Sequence, residues 1–430
     1  MKSADAEPFV FIAVNDLVGI TRGRSLPKSK LKPTSGVGWV PADLALTAFG
    51  SLADPNPFGA LGDLRLVPDI ATKAIFCGKT YGRDVEVYLA DQHSIDGNPW
   101  ECCPRTNLKR AITRLNSDHG LEVVASFEHE FVTKREDGTS LPGSPFGLDS
   151  MLASEPFGSE VWDACVAAGI ELENWLPEFG AGQFEVTMTP QDALRASDHA
   201  VLLKEIVRHV ARENRLRATF VPLPHPDSVG NGVHVHLSLT KDGKPITYDA
   251  QGKAGMSTFA ESAFAGILDH AAGILAWTAP SQVSALRLTP HRWSAGGICI
   301  GRQNREALLR ICPSLNGADP NKVVNVEFRA ADATANPHLV MACLINAMCE
   351  GLDRDATIDL IVDEHVDLVS VPQLPATLNE AVDAFKTNSI MNGWFPQELI
   401  DTHLSIRVCE ARALEGLDNA AKCARYAEVY

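Results

Sequence analysis

The chain has 430 residues, 45% of them hydrophobic and 21% charged. That is enough apolar material for two or three domains, or for one large domain with a smaller companion. Its formal net charge is -16 with no basic run or aromatic-basic stripe, which argues against a nucleic-acid partner. No apolar stretch reaches bilayer length, and FVFIAV near the start is too short for a secretion signal, so a soluble cytoplasmic protein is expected.

Residues 1–98 are rich in glycine, proline and short apolar runs and end at the turn-like DGNPW (96–100), which reads as a small β-rich domain. CPRTNLKRAITRLNSDHG (103–120) predicts a first helix, with Pro104 near its start, Leu108, Ile112 and Leu115 at helical spacing, and Gly120 at its end. GLEVVASFEHEFV (120–132) then alternates like a half-buried strand. SDHAVLLKEIVRHVAREN (197–214) predicts a helix capped by Ser197. FAESAFAGILDHAAGILAWTA (259–279) predicts a second, more buried helix, and ANPHLVMACLINAMCEGL (335–352) a third with Pro337 in its first turn. Strand-like pieces lie between them, so the fold class is α+β, with no G-x-G-x-x-G or Walker-type loop. The ten cysteines are scattered and form no C-x-x-C, so most are expected to be reduced, small core residues.

Four of the strand-like runs share one peculiarity. Glu128 and Glu130 face one way while Phe127, His129 and Phe131 face the other. In AGQFEVTM (181–188), Gln183, Glu185 and Thr187 oppose Phe184, Val186 and Met188. In NGVHVHLSL (231–239), His234, His236 and Ser238 oppose Val233, Val235, Leu237 and Leu239. In NVEFRAAD (325–332), Glu327 and Arg329 oppose Val326 and Phe328. A polar strand front is ordinarily just wet surface, but two carboxylates ~6.6 Å apart on one face repel by roughly 2–3 kcal/mol when both are ionised. If the four fronts converge, they form a basin of glutamates and histidines suited to Mg²⁺ or Mn²⁺, whose charge offsets that repulsion.

Arginines add an anionic partner. Arg302, Arg305 and Arg310 lie in GRQNREALLR (301–310), and Arg287 precedes them in SALRLTPHRW. Arginine grips phosphate and carboxylate bidentately, so a metal–nucleotide chemistry is expected, with surface salt bridging the alternative for Arg302.

Over about residues 60–430 the chain resembles the glutamine synthetase family. The resemblance is carried, in order, by RLVPDIATKAIF, PRTNLKRAI leading to SFEHEFV, EFGAGQFEV, GNGVHVHLSL, RLTPHRW, NREALLR and VEFRAADATANPHL. It implies an N-terminal β-grasp domain over 1–98 and a catalytic domain over 99–430, whose curved antiparallel sheet lines a funnel. It also implies a homo-oligomeric double ring, a decamer or dodecamer, in which a neighbour's N-terminal domain completes each site.

The resemblance further implies residue roles. Glu130, Glu178 and Glu185 match ligands of the metal nearer the amino-acid substrate, and Glu128, His234 and Glu327 those of the metal that holds the nucleotide phosphates. Glu173, His236 and Ser238 fall where ATP is contacted. Arg305 and Arg310 match residues that stabilise the transferring phosphoryl group. Arg287 and Arg329 match those gripping the carboxylates of glutamate, with backbone at Gly230 nearby. The implied chemistry is ATP-dependent activation of the glutamate side-chain carboxylate, followed by amide formation.

Departures from the family pattern bear on the nitrogen donor. The flap position where the family carries an ammonium-deprotonating carboxylate, six residues beyond Arg287, is Trp293. No DGSS-like stretch, whose aspartate helps hold ammonium in the family, precedes residue 60; GVGWVPADLALTAFG stands there instead. Asn325 stands where the family often has arginine, and Val229 where many members have asparagine. Losing both anionic groups weakens ammonium binding while Trp293 offers an apolar or cation–π surface, so the expected donor is an organic amine. An ammonia-using glutamine synthetase and a catalytically inactive family member are the alternatives.

Overall fold

The computed structural model describes residues 7–78, 84–289, 294–314 and 316–430. Its first part is a six-stranded sheet in the order Thr21–Pro27, Phe9–Asn15, Val85–Ser94, Leu64–Pro68, Val37–Trp39, with Ala74–Phe76 also pairing to Val85–Ser94. Phe9–Asn15 and Val85–Ser94 run parallel and the other pairs are antiparallel. Alternation puts Val10, Ile12, Leu64, Leu66 and Tyr88 into a local core.

The second part is built on an eleven-stranded sheet. Its central order is Val326–Phe328, Val233–Lys241, Glu122–Arg135, Gln183–Met188, Leu172–Pro177, all antiparallel. The four runs with glutamate- and histidine-bearing fronts are therefore consecutive neighbours. Beyond Val326–Phe328 the sheet continues through Ala307–Ile311 to Gly297–Arg302 and Ile361–Val362, and Gly297–Arg302 pairs in parallel with both of its neighbours. Phe127, Phe131, Phe184, Val186, Val235 and Phe328 fill the back of the sheet and are buried. Phe131 alone meets Phe157, Trp175, Phe184 and Phe220 with ring centroids 5.0–6.4 Å apart.

Helices pack behind this apolar face. Pro104–His119 begins with proline and ends at Gly120 in the left-handed region (φ 65), as its sequence predicts. Pro337–Asp353 is capped by Asn336, whose side chain accepts from Leu339 N. The 197–214 helix starts earlier than expected: it spans Ala193–Glu213, and Asp192 caps it by accepting from Leu194 N and Arg195 N. Ser197 lies one turn inside, and its hydroxyl donates to Ala193 O at 2.8 Å. The carboxylate at Asp192 meets two open amide groups, whereas Ser197 only returns a bond to the preceding turn.

The helix expected over 259–279 is two helices, Thr258–Asp269 and Ala271–Thr278, broken at His270. His270 pairs its Nδ1 with Asn388 Nδ2 at 2.9 Å and sets its ring edge-on to Trp394, so tertiary contacts replace helical continuity there. The 325–332 run pairs only over Val326–Phe328.

Buried polar contacts join the two parts. Arg105 binds Asp198 at 2.8 Å, Asp69 at 2.7 Å and Asp91 at 3.1 Å, and His338 also meets Asp198 at 2.9 Å. Arg407 donates to Leu17 O, Tyr430 to Val18 O, and Lys204 to Gly19 O. The ten cysteines are free thiols, and no helix among the described residues is long and apolar enough to cross a membrane.

Candidate active site

Register decides which polar fronts meet. His234 lies opposite Glu128, Glu185 opposite Glu130, and Glu327 opposite both His236 and Arg310. The side chains follow the register: His234 Nδ1 is 2.7 Å from Glu128 Oε1 and 3.4 Å from Glu327, and His236 Nε2 is 3.4 Å from Glu128 Oε2. Arg310 donates to Glu327 Oε2 at 2.8 Å, and Arg329 donates to Glu327 Oε1.

Two donor groups emerge whose ligand atoms lie within 4.8 Å of one another: Glu128, His236 and Glu327, and Glu128, Glu185 and His234. Glu128 is common to both. Of the implied set Glu128, His234 and Glu327, the first group holds Glu128 and Glu327 with His236, expected at the nucleotide, while His234 falls in the second; of Glu130, Glu178 and Glu185, Glu185 alone enters a donor group among the described residues. Glu185 joins Glu128 and His234.

Glu130 has a second attachment. Its Oε2 accepts from Gly232 N at 2.6 Å, while its own N–H donates to Gly232 O at 3.1 Å. It therefore clips down the loop Gly230–Gly232, which runs against the arginine. A side chain at Gly230 would place Cβ 2.4 Å from Arg287 Cγ, and one at Gly232 would meet His234 Nε2 at 2.6 Å, so both positions need glycine for close approach. Gln183, unremarked as a site residue from sequence, holds the same loop. Its Nε2 donates to Gly230 O at 2.8 Å and to Asn231 Oδ1 at 2.9 Å. Arg287 is buried and spends one nitrogen on Ala331 O at 2.8 Å.

The electrostatics show a basin short of positive charge. Burial opposes ionisation of Glu327, but the charges of Arg329, His234 and His236 hold it down at about 2. Burial likewise opposes ionisation of Glu128, yet His234 and His236 keep it well below the usual carboxylate range. For Glu185, burial and the negative charges of Glu128 and Glu130 prevail and push it up to about 10. Burial and Glu130 raise Glu178 to about 7. Hard oxygen donors with two imidazoles, one carboxyl pushed up by burial and negative neighbours, fit a divalent cation of the Mg²⁺ or Mn²⁺ type.

Other expected residues lie farther out. Arg305 is exposed on the turn between Gly297–Arg302 and Ala307–Ile311, within electrostatic reach of Glu178. Glu173 is exposed on the Leu172–Pro177 strand. Ser238 faces the front, with its hydroxyl directed at Val324 O at 3.5 Å. Trp293 lies outside the described residues. Asn325, noted from sequence only as a departure, acquires a role: its Oδ1 accepts from His236 Nδ1 at 2.8 Å, which turns Nε2 toward Glu128. The signals that sequence offered were, for Gln183, its place on the same strand front as Glu185 and, for Asn325, its departure from the family's arginine.

Comparison with known proteins shows the family. The glutamine synthetase catalytic domain family matches residues 101–426, and the glutamine synthetase N-terminal domain family matches residues 3–100. The gamma-glutamylpolyamine synthetase GlnA3 of Streptomyces coelicolor is 32% identical, over 97% of this chain and 92% of that protein. The glutamine synthetase of Thermus thermophilus is 28% identical, over 95% of this chain and 92% of its own. A crystal structure of a novel glutamine synthase homolog superposes with a TM-score of 0.92 at 38% identity, covering all of both chains.

Proposed function

This chain belongs to the glutamine synthetase family of ATP-dependent ligases, and from that premise we propose that it joins the γ-carboxylate of glutamate to an organic amine. The observation that carries the reading is the convergence of Glu128, Glu185, His234, His236 and Glu327 from four adjacent strands, ringed by Arg287, Arg310 and Arg329. Two anions, a carboxylate and a nucleotide triphosphate, must approach for the first step, and fixed positive charge lowers that barrier.

In this reading a glutamate side-chain oxygen attacks the γ-phosphorus of ATP, forming γ-glutamyl phosphate and releasing ADP. The amine nitrogen then attacks the acyl carbon; the bond to phosphate breaks, an amide forms and the nitrogen loses a proton. Arg287 and the Gly230–Gly232 loop hold the glutamate, while Arg310 and Arg305 face the transferring phosphoryl group. Divalent cations held by the two donor groups, Mg²⁺ or Mn²⁺, supply electrostatic neutralisation of the phosphates when bound. Arg329, braced on Glu327, links the two ends of the site.

The organic-amine assignment is supported by the polyamine activity named for the Streptomyces coelicolor relative. It is also supported by tryptophan at position 293 and by the absence of a DGSS-like stretch before residue 60. A double-ring homo-oligomer, a domain boundary near residue 98 and a cytoplasmic setting complete the proposal. Phosphate release with glutamate, ATP and Mg²⁺, compared across ammonium and a panel of amines, tests it. An organic amine is expected to give the highest kcat/KM. Ammonium in first place would make the protein an ordinary glutamine synthetase.

A further inference from the structure

Arg287 is 3% exposed and has an acid on either side of it. Ahead of it is the basin: its Nη1 is 3.1 Å from where a Cβ at Gly232 would lie, and Gly232 N is bonded to Glu130. Behind it is Asp332, itself 2% exposed. Asp332 lines a small cavity with Phe127 and His129 from the back of the sheet and Lys204 from the helix Ala193–Glu213. Burial works against the charge of Arg287, and the acids that support it are Asp332 first and Glu130 second. Hydrogen bonds fix the guanidinium only in part. Its Nη2 donates to Ala331 O at 2.8 Å and to Arg329 O at 3.5 Å, while Nε has no hydrogen-bond partner among the described residues.

Asp332 is bound into the segment that carries those carbonyls. Its Oδ1 accepts from Thr334 N at 2.9 Å and from the Thr334 hydroxyl. Its N–H donates to Thr278 O at 3.0 Å, and its carbonyl accepts from Ala335 N at 3.1 Å. Asparagine would make each of these bonds through its amide oxygen and backbone, so the turn has no need of a carboxylate. The charge therefore answers to a cation. Lys204 feels it, but Glu205 and Asp16 weigh more there, whereas no acid weighs more on Arg287 than Asp332. A guanidinium stays charged, and a buried cation deprived of its counter-charge is costly enough to be drawn toward another acid. For Arg287 that other acid is Glu130. We propose that Asp332 is a positioning residue whose charge draws Arg287 back from Glu130, keeping the guanidinium open to a carboxylate of glutamate and Glu130 free of it. The inference rests on the glutamate–amine ligase reading and adds a residue to its machinery.

The test is phosphate release with glutamate, Mg²⁺-ATP and the amine that gives the highest turnover. Asp332→Asn keeps the bonds of the turn and removes the charge. KM for glutamate should rise by roughly tenfold or more, the scale of losing a partner that orients a ligand-binding group, while KM for ATP shifts by less than about twofold. A melting scan adds a readout that needs no turnover. Asp332→Asn and Arg287→Gln should each lower Tm, and the double variant should melt above either, because no buried charge is left unmatched. An Asp332→Asn protein that does not fold is likewise expected to be rescued by Arg287→Gln. An unchanged glutamate KM, equal rises for glutamate and ATP, additive losses of Tm or a failed rescue each overturns the inference while leaving the ligase reading standing. A wild type that releases no phosphate with glutamate and any amine overturns the ligase reading and the inference with it.

Discussion

The Arg105 junction and the glutamate–histidine basin both bury several charges, and they treat them in opposite ways. At the junction one guanidinium meets Asp198, Asp91 and Asp69, and His338 adds a further contact to Asp198. Burial opposes ionisation of Asp198, yet hydrogen bonds from Arg105 and His338 hold it at about 2. In the basin Glu128 and Glu327 are similarly compensated, but Glu185 is forced up to about 10 and Glu178 to about 7. A network that only ties elements together ends when its charges are met. One that binds is left short of positive charge, to be completed by what arrives later.

The largest expected effect comes from breaking the basin. Glu327→Ala removes a donor and the carboxylate that Arg310 and Arg329 both bind; kcat should fall by roughly 10²–10³-fold, the scale of losing one electrostatic stabiliser. Thermal stabilisation by Mg²⁺-ATP should vanish with it, as read by a melting scan. A retained shift would mean that the nucleotide is held elsewhere.

Arg105→Ala should do the reverse. It leaves three carboxylates without their guanidinium and should cost roughly 3–5 kcal/mol of stability, seen as a lower Tm. Amine-dependent turnover per folded molecule should stay unchanged. A selective loss of turnover would make the junction part of the catalytic machinery.

The smallest effect concerns pH. The Glu185 carboxyl is raised above its ordinary value of 4.5, so in the metal-free protein its neutral form is favoured, and stability from this group is lost as pH climbs toward about 10. A bound dication favours the ionised form instead. The Mg²⁺-induced rise in Tm should therefore grow from about pH 6 to about pH 8.5, and Mg²⁺ binding should release protons into weak buffer. Glu185→Gln should flatten this dependence by about 1–2 kcal/mol across the range, whereas Arg105→Ala should leave its slope intact. A slope unchanged in Glu185→Gln would assign the protons to another group.

Much of the site was legible because its signals are local. The alternation of Phe127, Glu128, His129, Glu130 and Phe131 follows from the two-residue period of a strand, and the burial of the three aromatic residues bears it out. The helix limits at Pro104 and Gly120 are equally local. Ser197 was misread because a serine inside a helix and a serine at its start carry the same letter; which amides are open depends on the strand Gln191–Asp192 just before it. The break at His270 depends on Asn388 and Trp394, which lie more than a hundred residues away in the chain.

Sequence by itself determined which residues share a face, that those faces carry hard oxygen and imidazole donors, and that the motifs occur in the glutamine synthetase order. Tertiary structure alone decided that His234 lands on Glu128 across 106 residues, that Glu130 spends an oxygen on Gly232, and that Gln183 and Asn325 steady the loop and the imidazole. The reason is physical. Side-chain alternation is built into the backbone geometry of a single strand, whereas register and loop closure are set by packing between segments that meet only when the chain is folded.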